Sequence, residues 1–343
     1  MLKQGKHLNS KLLQTLSTSI PLRDSILTPL GEFKVCKRAK VDIGTQCNYK
    51  CYFCYYKSKL NQITTFETIK DRILKLYELG CRDFDLSGGE PTIHKSFIDI
   101  IKFIKSLDKT NKVSCLTNGS NPKIIKEAHK EGLEEILFSI HSCGPIHDEI
   151  TGISGSFNRI LESYRIAKDL NILCRINSTI TNLNYHIVDT EFFDLILDLK
   201  PSQVNFLPIN YFENSEESID YSVVLKPIQN FINKLKKMQD STVVGNLHIL
   251  GDWKCEINVR YVPFCHFDKE YIKGYKQHIY DPKDWNICWY HYLPDTLENL
   301  NLMLRENRMQ NYNKVGDCLK CKFFNECDGI EPLAKQDFRP IRF

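Results

Sequence analysis

From about residue 38 to residue 207 the chain alternates strand-like and helix-like segments, and this alternation limits the folds open to it. Strands are expected at 39–44, 82–86, 113–117, 135–140, 172–180 and 203–207. Helices are expected at 65–79, 96–107, 122–131, 157–169 and 190–199. In the first helix Ile69, Ile73, Leu74 and Leu76 recur at helical spacing, and Gly80 is its stop signal. Strands separated by helices of this length build βαβ units on a parallel sheet. Periodicity alone fits either a doubly wound sheet or a barrel. Four polar groups each follow a strand: Cys47–Cys54, Gly88-Gly89-Glu90, Asn118-Gly119 and His141-Ser142. In a parallel barrel the C-terminal strand ends share one face, where sites are built, so these groups would share one mouth.

The rest of the chain is organised around that core. Residues 1–35 read as a polar, basic extension, 36–210 as the barrel, and 211–250 as a connection with a helix at 228–238. Residues 251–343 read as a smaller, cysteine-rich second domain holding all three Trp and six of the 14 Cys. A net charge of +4 is too small to argue for nucleic acid or a membrane surface. No run approaches the 18 apolar residues of a membrane span, and the N-terminus lacks a signal-peptide core. A cytoplasmic protein with thiolates on metal is the expectation.

Cys47, Cys51 and Cys54 stand in C-x₃-C-x₂-C spacing. By chance such a triplet occurs about 0.02 times in a chain with this many cysteines. A four-cysteine zinc or iron–sulfur site is saturated, whereas three thiolates leave one position open. The alternatives are half of a zinc site or scattered core thiols.

With Phe53 just before the last cysteine, this loop resembles that of the radical S-adenosylmethionine (SAM) enzymes. The resemblance continues through Ser87-Gly88-Gly89-Glu90-Pro91-Thr92, Thr117-Asn118-Gly119 and Ser139-Ile140-His141-Ser142, in the family's order over about residues 36–210. It implies a partial (β/α)6 TIM-type barrel. It also implies a [4Fe–4S] cluster on Cys47, Cys51 and Cys54, whose fourth iron chelates SAM. Gly88, Gly89 and Glu90 would contact the methionine end of SAM, glycines allowing close backbone approach and Glu90 facing the ammonium. Phe53 limits water access. Asn118, Ser139 and His141 are candidates for the ribose and carboxylate, and Arg175 and Asn177 for the same cavity. Cys81, Cys115 and Cys174 read as inert core thiols. Cys143, after the fourth strand, is a candidate hydrogen donor to a substrate radical.

In the tail, Cys318, Cys321 and Cys327 form C-x₂-C-x₅-C, which serves zinc as readily as iron–sulfur. Beside a radical SAM core it resembles the SPASM/twitch extensions, although the remaining cysteine pattern of that family is absent. One auxiliary [4Fe–4S] cluster is expected, with Cys265 as fourth ligand and Cys255 as the second choice. The resemblance implies an oxidoreductase or modifying enzyme that cleaves SAM to a 5′-deoxyadenosyl radical. An external flavodoxin- or ferredoxin-like donor would supply the electron. A peptide or protein substrate is expected first. The alternatives are a sugar, nucleoside or other small molecule, activation of a glycyl-radical enzyme, or a non-catalytic zinc or iron–sulfur module.

Overall fold

The computed structural model describes residues 25–28, 31–34, 38–54, 56, 62–78, 80–209, 220–240, 253–259, 262–267, 287–289, 301–302 and 316–321. A hairpin, β1 (Ser25–Thr28) and β2 (Gly31–Lys34), precedes the main sheet. The barrel strands are β3 (Arg38–Asp42), β4 (Asp83–Ser87), β5 (Lys112–Thr117), β6 (Glu135–Ser139), β7 (Leu173–Ile180) and β8 (Gln203–Pro208). They pair in sequence order, all parallel. Helices α1 (Phe66–Glu78), α2 (Phe97–Leu107), α3 (Pro122–Lys130), α5 (Ser156–Asp169) and α6 (Glu191–Leu199) fill the crossovers, as the periodicity predicts.

Two strands join this sheet from the stretch that the sequence reading sets apart as a second domain. β9 (Glu256–Val259) pairs with β8, and β10 (Ile287–Trp289) pairs with β3, both in parallel. A short β11 (Asn301–Leu302) runs antiparallel to β10.

The remaining helices show what sequence rules missed. α4 (Gly144–Thr151) was not expected, although its signals are present: Pro145 in the first turn and Gly152, with φ of 66°, as the left-handed stop. α7 (Tyr221–Asp240) starts seven residues before the expected 228, running through Pro227. Proline normally ends a helix. Here the buried stripe Tyr221, Val224, Leu225, Ile228, Phe231, Ile232 and Leu235 continues across it, and packing outweighs the lost hydrogen bond.

The strands' two faces differ sharply. Ala39, Val41, Phe84, Leu86, Ile136, Phe138, Val204 and Phe206 join the helices in one hydrophobic core. The alternate positions carry Arg38, Asp85, Glu135, Arg175, Asn177 and Asn205, and this second face lines the barrel interior.

Candidate functional site

The cysteine loop leaves β3 at its C-terminal end and is pinned from two sides. Against β4, the Gly89 and Glu90 amides donate to the carbonyls of Gly44 (2.9 Å) and Gln46 (2.8 Å). A Cβ on Gly88 would lie 2.0 Å from the Gly44 oxygen, and one on Gly89 would lie 2.2 Å from the Gln46 oxygen. The close backbone approach that requires these glycines includes the chain's own loop. Against α4, the Lys50 amide donates to Thr151 O (2.9 Å) and the Tyr52 amide to Ile150 O (3.4 Å). The unexpected helix is thus the second wall of the loop. Below it, the Tyr56 hydroxyl donates to the Asp42 carboxylate.

All three thiols are half-buried. Burial pushes Cys47 up to about 11 and Cys51 up to about 12, with Cys54 adding to both. Free thiols therefore hold their protons at neutral pH, and metal binding must displace them. The Tyr49 amide (3.4 Å) and Asn118 Nδ2 (3.9 Å) approach Cys47 Sγ. Such donors to sulfur tune a cluster's potential. Among the described residues no three His, Cys, Asp or Glu side chains converge as a single ion would require. A cuboidal cluster takes each thiolate at a separate iron corner, and three thiolates fit it with the fourth corner left open.

Glu90 is buried, and its carboxylate joins two strand ends. Oε1 accepts from the Thr92 amide (3.0 Å), the Thr92 hydroxyl and the Thr117 hydroxyl (2.6 Å), and Oε2 accepts from the Asn118 amide (2.6 Å). Burial raises its pKa against the opposing pull of these donors. Asn118 in turn donates to Asn48 Oδ1 at 3.0 Å, bringing β5 to the cysteine loop.

Phe53 meets the His141 ring edge-to-face at 5.0 Å, and His141 stacks on His147 at 5.7 Å. Each imidazole accepts an amide hydrogen at Nδ1: His141 from Thr179 (3.1 Å) and His147 from His141 (3.2 Å). Burial lowers His141 well below the usual range and His147 to about 4, so both rings are neutral with the proton on Nε2. His141 supports the aromatic beside Cys54.

The interior face carries two polar layers. In the lower one, Arg38 makes a bidentate pair with Asp85 (2.7 and 2.7 Å) and reaches Glu135 (2.9 Å). Burial works against the Arg38 charge, but Asp85 and Glu135 raise its pKa overall. Glu135 also pairs with Arg175, which donates to Gln203 Oε1 at 3.1 Å. One step toward the mouth, Ser139, Asn177, Asn205 and Asn258 face each other in register across β6, β7, β8 and β9. Asn258 donates to Asn205 (3.1 Å) and Asn205 to Asn177 (2.7 Å). Sequence reasoning named Arg175, Asn177 and Ser139 but not Arg38, Asp85, Glu135, Asn205 or Asn258. The available signal was polar alternation in strands such as Asp83-Phe-Asp85-Leu-Ser87, since wholly buried parallel strands read as continuous apolar runs.

The other cysteines separate by place. Cys81, Cys115 and Cys174 are buried in the core. Cys143 caps α4 and is half-buried; burial pushes its thiol up to about 12, with Glu191 and Asp194 of α6 adding to the shift. Cys255 is buried against β9. Cys265 is half-buried in the turn Phe264–His266. Cys318 is half-buried and accepts the Cys321 amide at its carbonyl (2.9 Å), while Cys321 packs on the main core. Cys327 lies outside the described residues.

A parallel β/α barrel with an open three-thiolate loop at the C-terminal end of its first strand defines a cysteine-ligated cofactor enzyme. Residues 41–197 match the Radical SAM superfamily, in agreement with the resemblance read from the sequence. The match supports a radical SAM enzyme, and the superfamily implies SAM and a [4Fe–4S] cluster. A probable GTP 3′,8-cyclase of Thermococcus kodakarensis is 29% identical over 223 residues, 61% of this chain and 68% of that protein. The GTP 3′,8-cyclase of Aquifex aeolicus is 27% identical over 225 residues, 63% of this chain and 67% of its own. Against a Haemophilus influenzae GTP 3′,8-cyclase the chain spans about half that protein's length (52%) at 29% identity. The crystal structure of Streptococcus suis SuiB bound to precursor peptide SuiA shares the fold, with a TM-score of 0.62 and 14% identity over 88% of this chain and 74% of that one. Among the described residues, no helix is long and apolar enough to cross a membrane.

Proposed function

We propose that this enzyme acts on a small polar molecule held in the barrel interior, beneath a [4Fe–4S] cluster on Cys47, Cys51 and Cys54. When bound, cluster and SAM supply reductive cleavage to a 5′-deoxyadenosyl radical that takes a hydrogen atom from the substrate. The chain's residues position and shield that chemistry. The Gly88-Gly89 turn and α4 hold the loop in place, while Phe53, backed by His141, limits water access. Gly88, Gly89 and Glu90 serve the methionine end of SAM, and Asn118, Ser139 and His141 its ribose and carboxylate side. Arg175 and Asn177 belong to the interior layers and serve the substrate. An external one-electron donor of flavodoxin or ferredoxin type reduces the cluster.

The observation that carries the small-molecule reading is the interior face itself. A barrel interior is ordinarily packed with branched apolar side chains. Here it is lined with ion pairs and amides, of which Asn205 and Asn258 are 1% and 2% exposed. Burying such groups is costly unless they are hydrogen-bonded, and they fit a compact polar ligand. The relatives named GTP 3′,8-cyclase support the same class. The peptide reading draws on the cysteine-rich tail and on the SuiB–peptide structure, which at 14% identity is a likeness of fold alone. One auxiliary [4Fe–4S] cluster on Cys318, Cys321, Cys327 and Cys265 completes the proposal, and Cys143 remains the candidate hydrogen donor.

The test is 5′-deoxyadenosine formation by anaerobically reconstituted, reduced protein. Sugars and nucleosides should raise it at least tenfold over the substrate-free rate in one member of the panel. Stimulation by peptides alone would overturn the reading. About eight iron per chain is expected with the auxiliary cluster, and about four without it.

A further inference from the structure

The interior of the barrel has a charge balance that narrows the substrate class. Every cation facing it meets a carboxylate. Arg38 is held by Asp85 and Glu135, Arg175 by Glu135, and Lys40 Nζ lies 3.6 Å from Asp42 Oδ1. Lys112 is exposed at the far end of the barrel, opposite Asp83 in register and close enough for its charge to lower that carboxylate's pKa against the effect of burial. A phosphate needs cations whose charge is not already neutralised, and arginine clamps on phosphate work through free guanidinium forks. Among the described residues this interior presents none.

What it presents instead is neutral hydrogen bonding. The amides of Asn258, Asn205 and Asn177 donate in one direction, from β9 through β8 to β7. Chains of this kind polarise one another, so the last donor is the strongest. That donor is Asn177 Nδ2, which is engaged by no described residue. Asn177 is half-buried, and Ser139 stands directly opposite it on β6.

We infer that the interior recognises an uncharged, oxygen-bearing part of its substrate, a carbonyl or hydroxyl accepting from Asn177, and that it rejects phosphorylated molecules. This rests on the proposed small-molecule reading. It separates the chain from relatives whose names specify GTP. A site built to hydrogen-bond a neutral group discriminates strongly, because a mismatched ligand leaves its buried partners unpaired.

Equilibrium dialysis on reconstituted, SAM-loaded protein tests it with matched pairs: guanosine and GTP, adenosine and ATP, N-acetylglucosamine and its 1-phosphate. In at least one pair the neutral member should bind, about tenfold or more tighter than its phosphorylated partner. Asn205→Leu should cut that binding about tenfold. Asn177→Ala, at the half-buried end of the ladder, should do the same if the buried variant fails to fold. Glu135→Gln, which removes the carboxylate that neutralises Arg175, should improve binding of the phosphorylated member. Tighter binding of a phosphorylated member by the natural protein, or no binding of any neutral member, would overturn the inference. If the neutral preference holds while no 5′-deoxyadenosine forms, the catalytic reading fails and this one stands.

Discussion

The two faces of the same strands do different work. On the outer face, Val41, Phe84, Phe138 and Phe206 are 0% exposed and pack against the helices. Each contributes roughly 1.5–3 kcal/mol by leaving water. On the inner face one residue away, Arg38, Asp85, Glu135 and Arg175 hold one another in a network whose net stabilisation is small, because desolvation offsets the attraction. The comparison teaches that stability and recognition are divided by strand parity: one face holds the barrel together, and the other holds polar groups that earn no place by packing.

The largest effect expected is on catalysis. Cys51→Ala should abolish the cluster's visible absorbance and bring 5′-deoxyadenosine formation to background, while the circular dichroism of the barrel is retained. Gly88→Ala should strike both properties together. Its Cβ would meet Gly44 O at 2.0 Å, and φ is +131°, so a loss of roughly 3 kcal/mol in denaturant unfolding and poor cluster loading are expected.

The faces themselves can be separated next. Phe138→Ala should cost about 3–5 kcal/mol while the turnover of the folded fraction stays normal. Glu135→Ala should cost about as much, because it leaves Arg38 and Arg175 without their shared carboxylate. Adding Arg175→Met to a Glu135→Leu variant should restore much of that loss, which no second change offers Phe138→Ala. Failure of the restoration would erase the distinction between the faces.

The smallest effect is with pH. His147 is held near 4 by burial, against an ordinary value of 6.5. A histidine lowered on folding binds fewer protons folded than unfolded. Its stabilisation is therefore complete above pH 6.5 and is lost as pH falls toward 4. About 2 kcal/mol should disappear between pH 7 and pH 5 in urea unfolding, and His147→Gln should flatten that slope.

Much of this was legible in the chain. The six strands and five crossover helices follow from apolar periodicity, and the cysteine spacing marks the loop. What was missed has physical causes. α4 is short and moderately amphipathic, so only its Pro145 and Gly152 boundaries announce it. The helix expected from 228 begins at Tyr221 instead, because a buried stripe continues across Pro227. β9 and β10 are four and three residues long, too short to be told from loop by pattern.

The amino-acid sequence by itself determined the parallel β/α order and the identity of the three thiols, because both are local: periodicity and spacing need no partner. Only the tertiary structure decided that Gly88 and Gly89 seat the cysteine loop, that Glu90 bridges two strand ends, and that Asn177, Asn205 and Asn258 form a ladder. Those relations join residues 27 to 53 positions apart, set by strand register, which no single segment encodes.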